Sequence, residues 1–253
     1  MGALALSRNI TNIFYSLRGT LDYPFSPPMT ECYAKGDIDG VIRNARMGNK
    51  VLGIIMIAPI AAFAVYGVSF FNLWVPSQDS AMIQTLALLA LLNLLAGACI
   101  NTLFSILTIT NHVKIPALVS LLTAILTVII NLFFLNFTDL GIYALAGTSY
   151  ILSMIKHYIF TPLYGAYCLG VKKSTFYHEI LTGNLCLVLN LAVGFGFVRL
   201  ISAGETWISL ILSAGSMAVV CIAVNFFVVL KKEERTALYT AAGRKLKLGA
   251  RHV

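Results

Sequence analysis

The sequence predicts an all-α, polytopic membrane protein, and its composition, its long apolar runs and the placement of its charges each indicate that fold class. Hydrophobic residues make up 58% of the 253-residue chain and charged residues only 11%, and the mean hydropathy is +0.85. Soluble domains carry roughly 25% charged residues, so we expect lipid to cover most of this surface. The formal net charge of +8 therefore bears on membrane orientation, and no nucleic acid partner is expected.

Six apolar runs each reach the ~20 residues that a helix needs to cross a bilayer. Short connections rich in turn-forming residues separate them. The prediction is therefore about six full transmembrane helices, preceded by one proline-broken helix. The predicted spans are residues 51–74, 81–109, 115–137, 140–169, 180–198 and 206–230.

The segment before the first full span reads as a membrane helix packed inside protein. Apolar and aromatic residues recur at helical spacing through "LALSRNITNIFYSLRGTLDY", but Arg8, Arg18 and Asp22 lie among them. A helix with these charges needs other helices to shield it and a wet cavity for its polar face. We therefore expect this helix to line a polar space.

Three prolines, Pro24, Pro27 and Pro28, predict that this helix is bent or unwound near its end. Each lacks an N–H and clashes with the preceding turn, and such a break inside a membrane is tolerated only against protein or water. A new helix is expected from about residue 29, with Gly36 in the left-handed conformation that ends it. Asp37 is a natural N-cap for the amphipathic connector that follows.

Basic residues fall on alternate connections, and this pattern predicts the orientation. The connections on the opposite side carry only Arg199. Because short cytoplasmic loops are enriched in Lys and Arg, we expect a multi-pass protein of the cell (cytoplasmic) membrane whose C-terminus is cytoplasmic. The basic residues assigned to the cytoplasmic side are Lys35, Arg43, Arg46, Lys50, Lys114, Lys172, Lys173, Lys231, Lys232, Arg235, Arg244, Lys245, Lys247 and Arg251.

Several motifs follow one another in a recognisable order. A proline-broken helix leads to a "YAKGD" turn and a polar basic helix; later "TNHVKIP" introduces a helix ending in "NLFF", and the next helix opens "GIYALAGT". This order and spacing, over nearly the whole chain from about Ile10, resembles the second half of polysaccharide flippases. These are the Wzx-like members of the multidrug/oligosaccharidyl-lipid/polysaccharide exporter superfamily, which has a MATE-like fold.

The resemblance implies two six-helix lobes that pass a polyprenyl-diphosphate-linked oligosaccharide through a central cationic cavity by alternating access. Residues 1–34 would be the second helix of the C-terminal lobe and 35–50 a cytoplasmic amphipathic connector. Residues 51–169 would be the remaining four helices, 170–230 two additional transmembrane helices, and 231–253 a basic cytoplasmic tail. The N-terminal lobe and the first helix of the C-terminal lobe are missing. The chain is therefore expected to be a truncated half that works with a separate N-terminal lobe or a second copy.

No catalytic motif and no metal-ligand spacing appears in the sequence, so we expect neither an enzyme nor a cofactor. The residues expected to bind substrate are polar groups within the predicted helices. They are Lys156, Arg8, Arg18, Asn93 and Asn101.

Each candidate also has a structural interpretation. Lys156 either faces a cavity or extends toward the nearest basic loop. The two arginines either contact a phosphate or are paired locally, as the i,i+4 spacing of Arg18 and Asp22 allows. Asn93, Gly97 and Asn101 follow one another at intervals of four residues in one predicted span. The two asparagines either line the substrate path or pack helices together.

Three functions stay open at this point. The first is flipping of a lipid-linked oligosaccharide in polysaccharide or O-antigen (lipopolysaccharide) biosynthesis. The second is drug or cation antiport by a MATE-type lobe, and the third is a non-transporting membrane fragment or assembly partner. None of the ten acidic residues lies mid-span in the six full helices, so an antiporter would depend on Asp22, Glu31 or the missing lobe. A cationic path suits a diphosphate better.

The charge asymmetry predicts that Lys172 is cytoplasmic and that Ser77 and Thr138 are external. We expect single cysteines at Ser77 and Lys172, introduced into a chain without its native cysteines, to react with a membrane-impermeant thiol reagent from opposite sides. Labelling of both positions from the same side would contradict the predicted orientation.

Overall fold

The computed structural model describes residues 2–98, 100–138, 141–200, 206–230 and 232–236. These residues form α-helices joined by short turns, and no strand occurs among them, which confirms the all-α polytopic class. Most of the predicted basic tail lies outside the described residues. The helices are α1 Gly2–Asp22, α2 Ser26–Ala34, α3 Ile38–Trp74, α4 Ser80–Ala98, α5 Asn101–Ile109, α6 Lys114–Phe137, α7 Gly141–Ile155, α8 Thr161–Cys168, α9 Tyr177–Leu200 and α10 Trp207–Val229.

Four helices of the described chain, α3, α6, α9 and α10, are long and apolar enough to cross a membrane. Their ends agree with the predicted spans within a few residues, except that α3 also takes in the connector. The other two predicted spans are interrupted within their length. Residues 81–109 divide into α4 and α5, and residues 140–169 divide into α7 and α8 on either side of a π-helical turn, Lys156–Phe160.

The predicted break at the prolines is confirmed. A 3₁₀ turn, Tyr23–Phe25, separates α1 from α2. The second helix resumes at Ser26, three residues earlier than predicted, because Pro27 and Pro28 both fit in its first turn, where a missing N–H costs nothing. At the end of α2, Gly36 has φ +73°.

Asp37 caps α3 as predicted. Its side chain accepts a 2.8 Å hydrogen bond from the Gly40 N–H. The amphipathic connector and the first full span are therefore one continuous helix of 37 residues rather than two elements. This length lets α3 pack against helices on both sides of the α4–α5 junction.

Helix α3 is the scaffold of the fold. It packs against α1, α2, α4, α5, α9 and α10, and the side chains of Leu52, Met56 and Ala58 on it are fully buried. Helix α6 lies at the periphery: it packs on α7, and none of its residues is buried.

A buried amide pair joins α9 to α10. Asn190 Nδ2 donates to Asn225 Oδ1 at 2.6 Å, and Asn225 Nδ2 returns a bond of 3.3 Å to Asn190 Oδ1. Both residues are almost completely buried. The pair packs the two helices together, since amide side chains in membranes bond across helices where lipid offers no partner.

The junction between α4 and α5 depends on a residue of α3. Ile100 leaves the helical conformation (φ −133°, ψ 8°), so the first amides of α5 lose their partners within α4. Asn49 Oδ1 accepts from the Thr102 N–H at 3.1 Å, and the Thr102 hydroxyl lies 2.8 Å from both Asn49 Oδ1 and the Ala45 carbonyl oxygen. All of these atoms are buried. Gly48 keeps the two helices close, because a Cβ there would lie 2.5 Å from Thr102 Cγ2.

We expect Asn49→Leu to destabilise the protein by ~1–3 kcal/mol, because it leaves the Thr102 N–H buried without an acceptor. Thermal unfolding of the purified protein in detergent measures this. The matched control is Asn136→Leu on α6, where the exposed amide bonds only the Leu132 carbonyl of its own helix. Equal midpoints for the two variants would contradict the role assigned to Asn49.

Candidate functional site

Three neighbouring helices are interrupted at one depth, which we call the break level. Before the interruptions α1 packs on α4 and α4 on α7; after them α2 packs on α5 and α5 on α8. Direct contacts also join the interruptions. A Cβ at Gly48 would meet both Phe25 of the 3₁₀ turn and Thr102 at the start of α5. The Phe104 ring of α5 packs edge-on against His157 of the π turn, with ring centroids 5.8 Å apart.

The π turn has a local cause. Pro162 supplies no N–H to the turn before it, and the Thr161 N–H bonds the Lys156 carbonyl five residues back. The Thr161 hydroxyl lies 3.4 Å from the same oxygen and supports it. A π turn rotates the residues within it relative to a regular helix, and such turns are frequent at functional sites. Here it presents Lys156 and His157 in different directions.

A cluster of polar side chains from α1, α4 and α5 lies at and just before the break level; we call Tyr15, Arg18, Asp22, Asn93 and Asn101 the polar cluster. The Arg18 guanidinium lies over the Tyr15 ring, 5.2 Å from its centroid. It also lies against the backbone of Gly97, where a Cβ would come within 2.6 Å of Arg18 Nη1. Gly97 therefore makes room for the arginine.

Both asparagines of the polar cluster contact α1. Asn93 Nδ2 donates to the Tyr15 hydroxyl at 3.3 Å, and Asn101 interacts with the Asp22 carboxylate. The two asparagines do not lie on one helix as predicted, because the α4–α5 junction separates them. The α1 helix brings them together instead, since each meets a different turn of it.

The polar cluster keeps unused hydrogen-bonding capacity. Asn93 Oδ1 and Asp22 Oδ1 are buried and receive no hydrogen bond from any described residue. Arg18 is half-buried and lies within electrostatic reach of Asp22, but among the described residues the two do not form an ion pair. The local neutralisation that their spacing allowed is therefore incomplete, and the arginine stays available to an anion.

His157 joins the polar cluster from the π turn that follows α7. It lies within electrostatic reach of both Arg18 and Lys156, and its Nδ1 atom is buried with no partner among the described residues. His157 was not among the residues predicted from the sequence to bind substrate. Pro162, five residues further on, was the available signal for the π turn that directs it inward.

Lys156 points toward α6. Its Nζ atom donates to Ser120 Oγ at 3.3 Å. The lysine is half-buried, and a single hydroxyl satisfies one of its three donors. It lies beside the polar cluster, separated from Arg18 by His157.

Arg8 lies on α1 ten residues before Arg18, further from the break level. It is exposed, and Tyr150 of α7 lies within electrostatic reach of both Arg8 and Tyr15. The structure therefore brings Arg18, Asn93 and Asn101 into one cluster, with Lys156 and Arg8 at its margins. The arrangement can bind an anion through cations on two helices and can offer amide and hydroxyl groups to a polar ligand.

Comparison with known proteins finds one informative relative. The chain is 31% identical over 221 residues to the uncharacterized membrane protein EpsK of Bacillus subtilis (strain 168). The match covers 87% of this chain and 43% of that protein, so the chain spans less than half the length of its relative. No protein-family model matches the chain, and no solved structure matches it. The relative and the four apolar helices together establish a membrane protein.

A double-mutant cycle tests the coupling between Arg18 and Asp22. We expect Arg18→Met and Asp22→Asn to interact by ~0.5–3 kcal/mol in unfolding free energy, because each variant leaves the other group buried beside no opposite charge. Thermal or chemical unfolding in detergent measures the four proteins. Arg8→Met with Asp22→Asn is the matched cycle; the two residues are 14 positions apart, which places Arg8 roughly 21 Å along the helix, so their coupling should be near zero. Equal couplings in the two cycles would contradict the polar cluster.

Proposed function

We propose that this chain is one lobe of a membrane flippase that moves a lipid-linked oligosaccharide across the cell membrane in polysaccharide biosynthesis. The observation that carries the proposal is the placement of Arg18 at the break level without an ion-pair partner among the described residues. Charged groups within a membrane are costly and are retained where they bind or move a charged ligand. In this proposal the chain is a transporter and not an enzyme.

A polyprenyl diphosphate suits the chemistry of these residues. Its diphosphate carries negative charges that an arginine binds through two parallel N–H···O bonds and a lysine binds as a point charge. Arg18 would contact the diphosphate first, and Lys156 would reach it by exchanging its single Ser120 bond for a phosphate oxygen. Asn93 and the Tyr15 hydroxyl would face the first sugars, since an amide and a phenol both bond to sugar hydroxyls.

The interruptions of the helices would serve the same purpose. Irregular backbone at membrane depth is found where it lines a cavity or is buried in protein. An interruption also frees backbone groups and makes room for polar side chains. Three interruptions at one depth give the proposed path a polar level that straight helices would lack.

The exposed surface of α1 supports a partner across this path. Asn9, Asn12 and Ser16 are exposed at helical spacing on it, with Arg8 beside them. Amide, hydroxyl and guanidinium groups are poor neighbours for lipid tails. We propose that a separate N-terminal lobe or a second copy of the chain covers them, and that the C-terminus is cytoplasmic, as the distribution of basic residues predicts.

A second candidate function is antiport of a drug or cation, and Asp22 favours it. Its Oδ1 atom is buried and receives no hydrogen bond from any described residue. A carboxylate in that position can bind a cation or a proton. The nearby Arg18 and Lys156 weigh against a cationic substrate, because like charges repel it.

The test of the flippase proposal is a charge series at Lys156. In the native cell, with the chromosomal copy changed, we expect Lys156→Arg to retain most surface glycan and Lys156→Met to lose most of it at equal membrane abundance. An ammonium near mid-membrane costs at least ~2.5–3.5 kcal/mol on insertion scales, so a lysine without a ligand gains from replacement by Met. Surface glycan is measured per unit of protein by immunoblot.

Ser120→Ala is the matched control for that series. It removes the described partner of Lys156 and keeps the charge, so glycan export should persist. Export by Lys156→Met equal to the wild type would exclude Lys156 from the substrate path. Resistance to a cationic drug that depends on Asp22, with glycan export unchanged in all variants, would favour the antiporter.

The exposed polar face of α1 predicts that the chain is incomplete in isolation. Expressed without other components, it should be degraded or should associate with a second copy, since lipid cannot solvate Asn9, Asn12 and Ser16. Size-exclusion chromatography with light scattering measures the state of the purified protein. A stable monomer that flips a lipid-linked oligosaccharide in liposomes would contradict the need for a partner.

A further inference from the structure

A second polar site lies where α3, α9 and the turn after α10 meet, and it shares no residue with the polar cluster. A cavity of about 270 Å³, which we call the end pocket, is lined by Arg43, Arg46, Lys50, His178, Glu179 and Glu234. These residues come from the polar first turns of α3, from the start of α9 and from the helical turn 232–236 that follows α10. All three segments lie where an apolar helix begins or ends. The end pocket is therefore at the depth of lipid head groups.

Two of its three cations are held by carboxylates. Arg46 Nε lies 3.2 Å from Glu179 Oε1, and Arg46 Nη2 donates to the Thr175 carbonyl at 2.7 Å. Lys50 Nζ lies 2.6 Å from Glu234 Oε1. These pairs connect α3 to α9 and to the turn after α10, so the end pocket has a defined shape.

Arg43 is the most available cation of the end pocket. Its side chain is 77% exposed, and its carboxylate neighbour, Asp37, is 3.7 Å away and itself caps α3. An exposed ion pair at that distance holds an arginine weakly. Arg43 can therefore turn to an anion at the mouth of the pocket without breaking a buried contact.

Glu179 supplies an acceptor that the described protein does not use. Its side chain is only 4% exposed, and its Oε2 atom receives no hydrogen bond from any described residue. A buried carboxylate oxygen without a donor is costly. The second oxygen therefore calls for a donor that comes from outside the described chain.

An apolar crevice continues from the end pocket into the membrane-spanning part. It shares Lys50 and Glu179 with the pocket and runs between α3 and α9 past Gly53, Ile57 and Cys186. The crevice is shallow, with about 20 Å³ of enclosed space. At Gly53 an added Cβ would meet only Ile57 Cδ1, at 3.9 Å, so the absence of a side chain leaves the groove open.

We propose that the end pocket and its crevice bind one glycerophospholipid. The phosphate would lie between Arg43 and Arg46, a donor on the head group would bond Glu179 Oε2, and one acyl chain would lie along the crevice past Gly53. Basic pockets between transmembrane helices are known lipid head-group sites. The residues that line the pocket carry one excess positive charge, from three cations and two carboxylates, and the exposed Asp37 at 3.7 Å from Arg43 offsets it only weakly, so a phosphodiester with one negative charge suits the site.

The donor on the head group distinguishes the candidate lipids. Phosphatidylethanolamine offers an ammonium and phosphatidylglycerol offers hydroxyls, whereas phosphatidylcholine has the same phosphate but no N–H or O–H donor. The crevice distinguishes a lipid from free phosphate, because only a lipid has a chain to place there. This site does not depend on the proposed transport function.

Native mass spectrometry of the full chain, delipidated in detergent, tests the proposal. Titration with each of the three lipids should show one retained molecule of phosphatidylethanolamine or phosphatidylglycerol, with phosphatidylcholine about tenfold weaker. Glycerol 3-phosphate at the same concentration should not compete. Equal retention of phosphatidylcholine would overturn the role of Glu179, and competition by glycerol 3-phosphate would show a phosphate site instead of a lipid site.

Variants test the three contacts separately. Arg43→Gln should weaken both retained lipids about tenfold, and Glu179→Gln should abolish their advantage over phosphatidylcholine. Gly53→Leu should block the crevice and reduce retention, whereas Gly196→Leu, at an open and exposed position of α9, is the matched control. Should Glu179→Gln fail to fold, Arg43→Gln and Gly53→Leu still decide the outcome. Retention equal to the wild type in those two variants would overturn the proposal.

Discussion

The backbone groups freed at the break level are the constraint on which the rest of this structure depends. A bilayer offers no water to bond them, so each must find a partner inside the protein. Asn49 meets the amide of Thr102 from the neighbouring helix, and the Lys156 carbonyl receives the amide of Thr161. These substitute bonds allow three adjacent helices to be interrupted at one depth. The polar cluster lies there because the interruptions leave room for it.

Helix α3 connects the two polar regions of the molecule. Its uninterrupted course carries Asn49, which supports the α4–α5 junction, and the next residue, Lys50, closes the end pocket against Glu234. The two regions differ in how their cations are compensated. In the end pocket Arg46 and Lys50 each face a carboxylate. In the polar cluster Arg18 packs on an aromatic ring and a glycine backbone, and no described ion pair neutralises it.

That difference bears on function because the polar cluster extends from the break level along α1 and α4, whereas the end pocket lies at the start of α9. A charge at the head-group level is partly hydrated and is screened, so a carboxylate partner there serves mainly to shape the pocket. A charged side chain at membrane depth has no water around it. A charge that is retained there without a full counter-charge is therefore better explained by a ligand than by packing. Two proposals follow from this contrast: a diphosphate path at the break level and a lipid site at the end pocket.

The sequence by itself determined the fold class, the ends of the four long apolar helices, the proline break, the Asp37 cap and the left-handed Gly36, because each follows from local composition or from neighbouring residues. It also selected Arg18, Asn93 and Asn101, since polar groups are conspicuous in apolar runs. Only the tertiary structure decided that residues 81–109 and 140–169 are divided and that His157 turns toward Arg18 while Lys156 turns toward Ser120. Asn49, which supports the α4–α5 junction, lies on another helix. A hydropathy pattern contains no information on hydrogen bonds between residues that are distant in the sequence. A long-range hydrogen bond of this kind allows a helix to be interrupted within an apolar run, where the apolar pattern predicts no end.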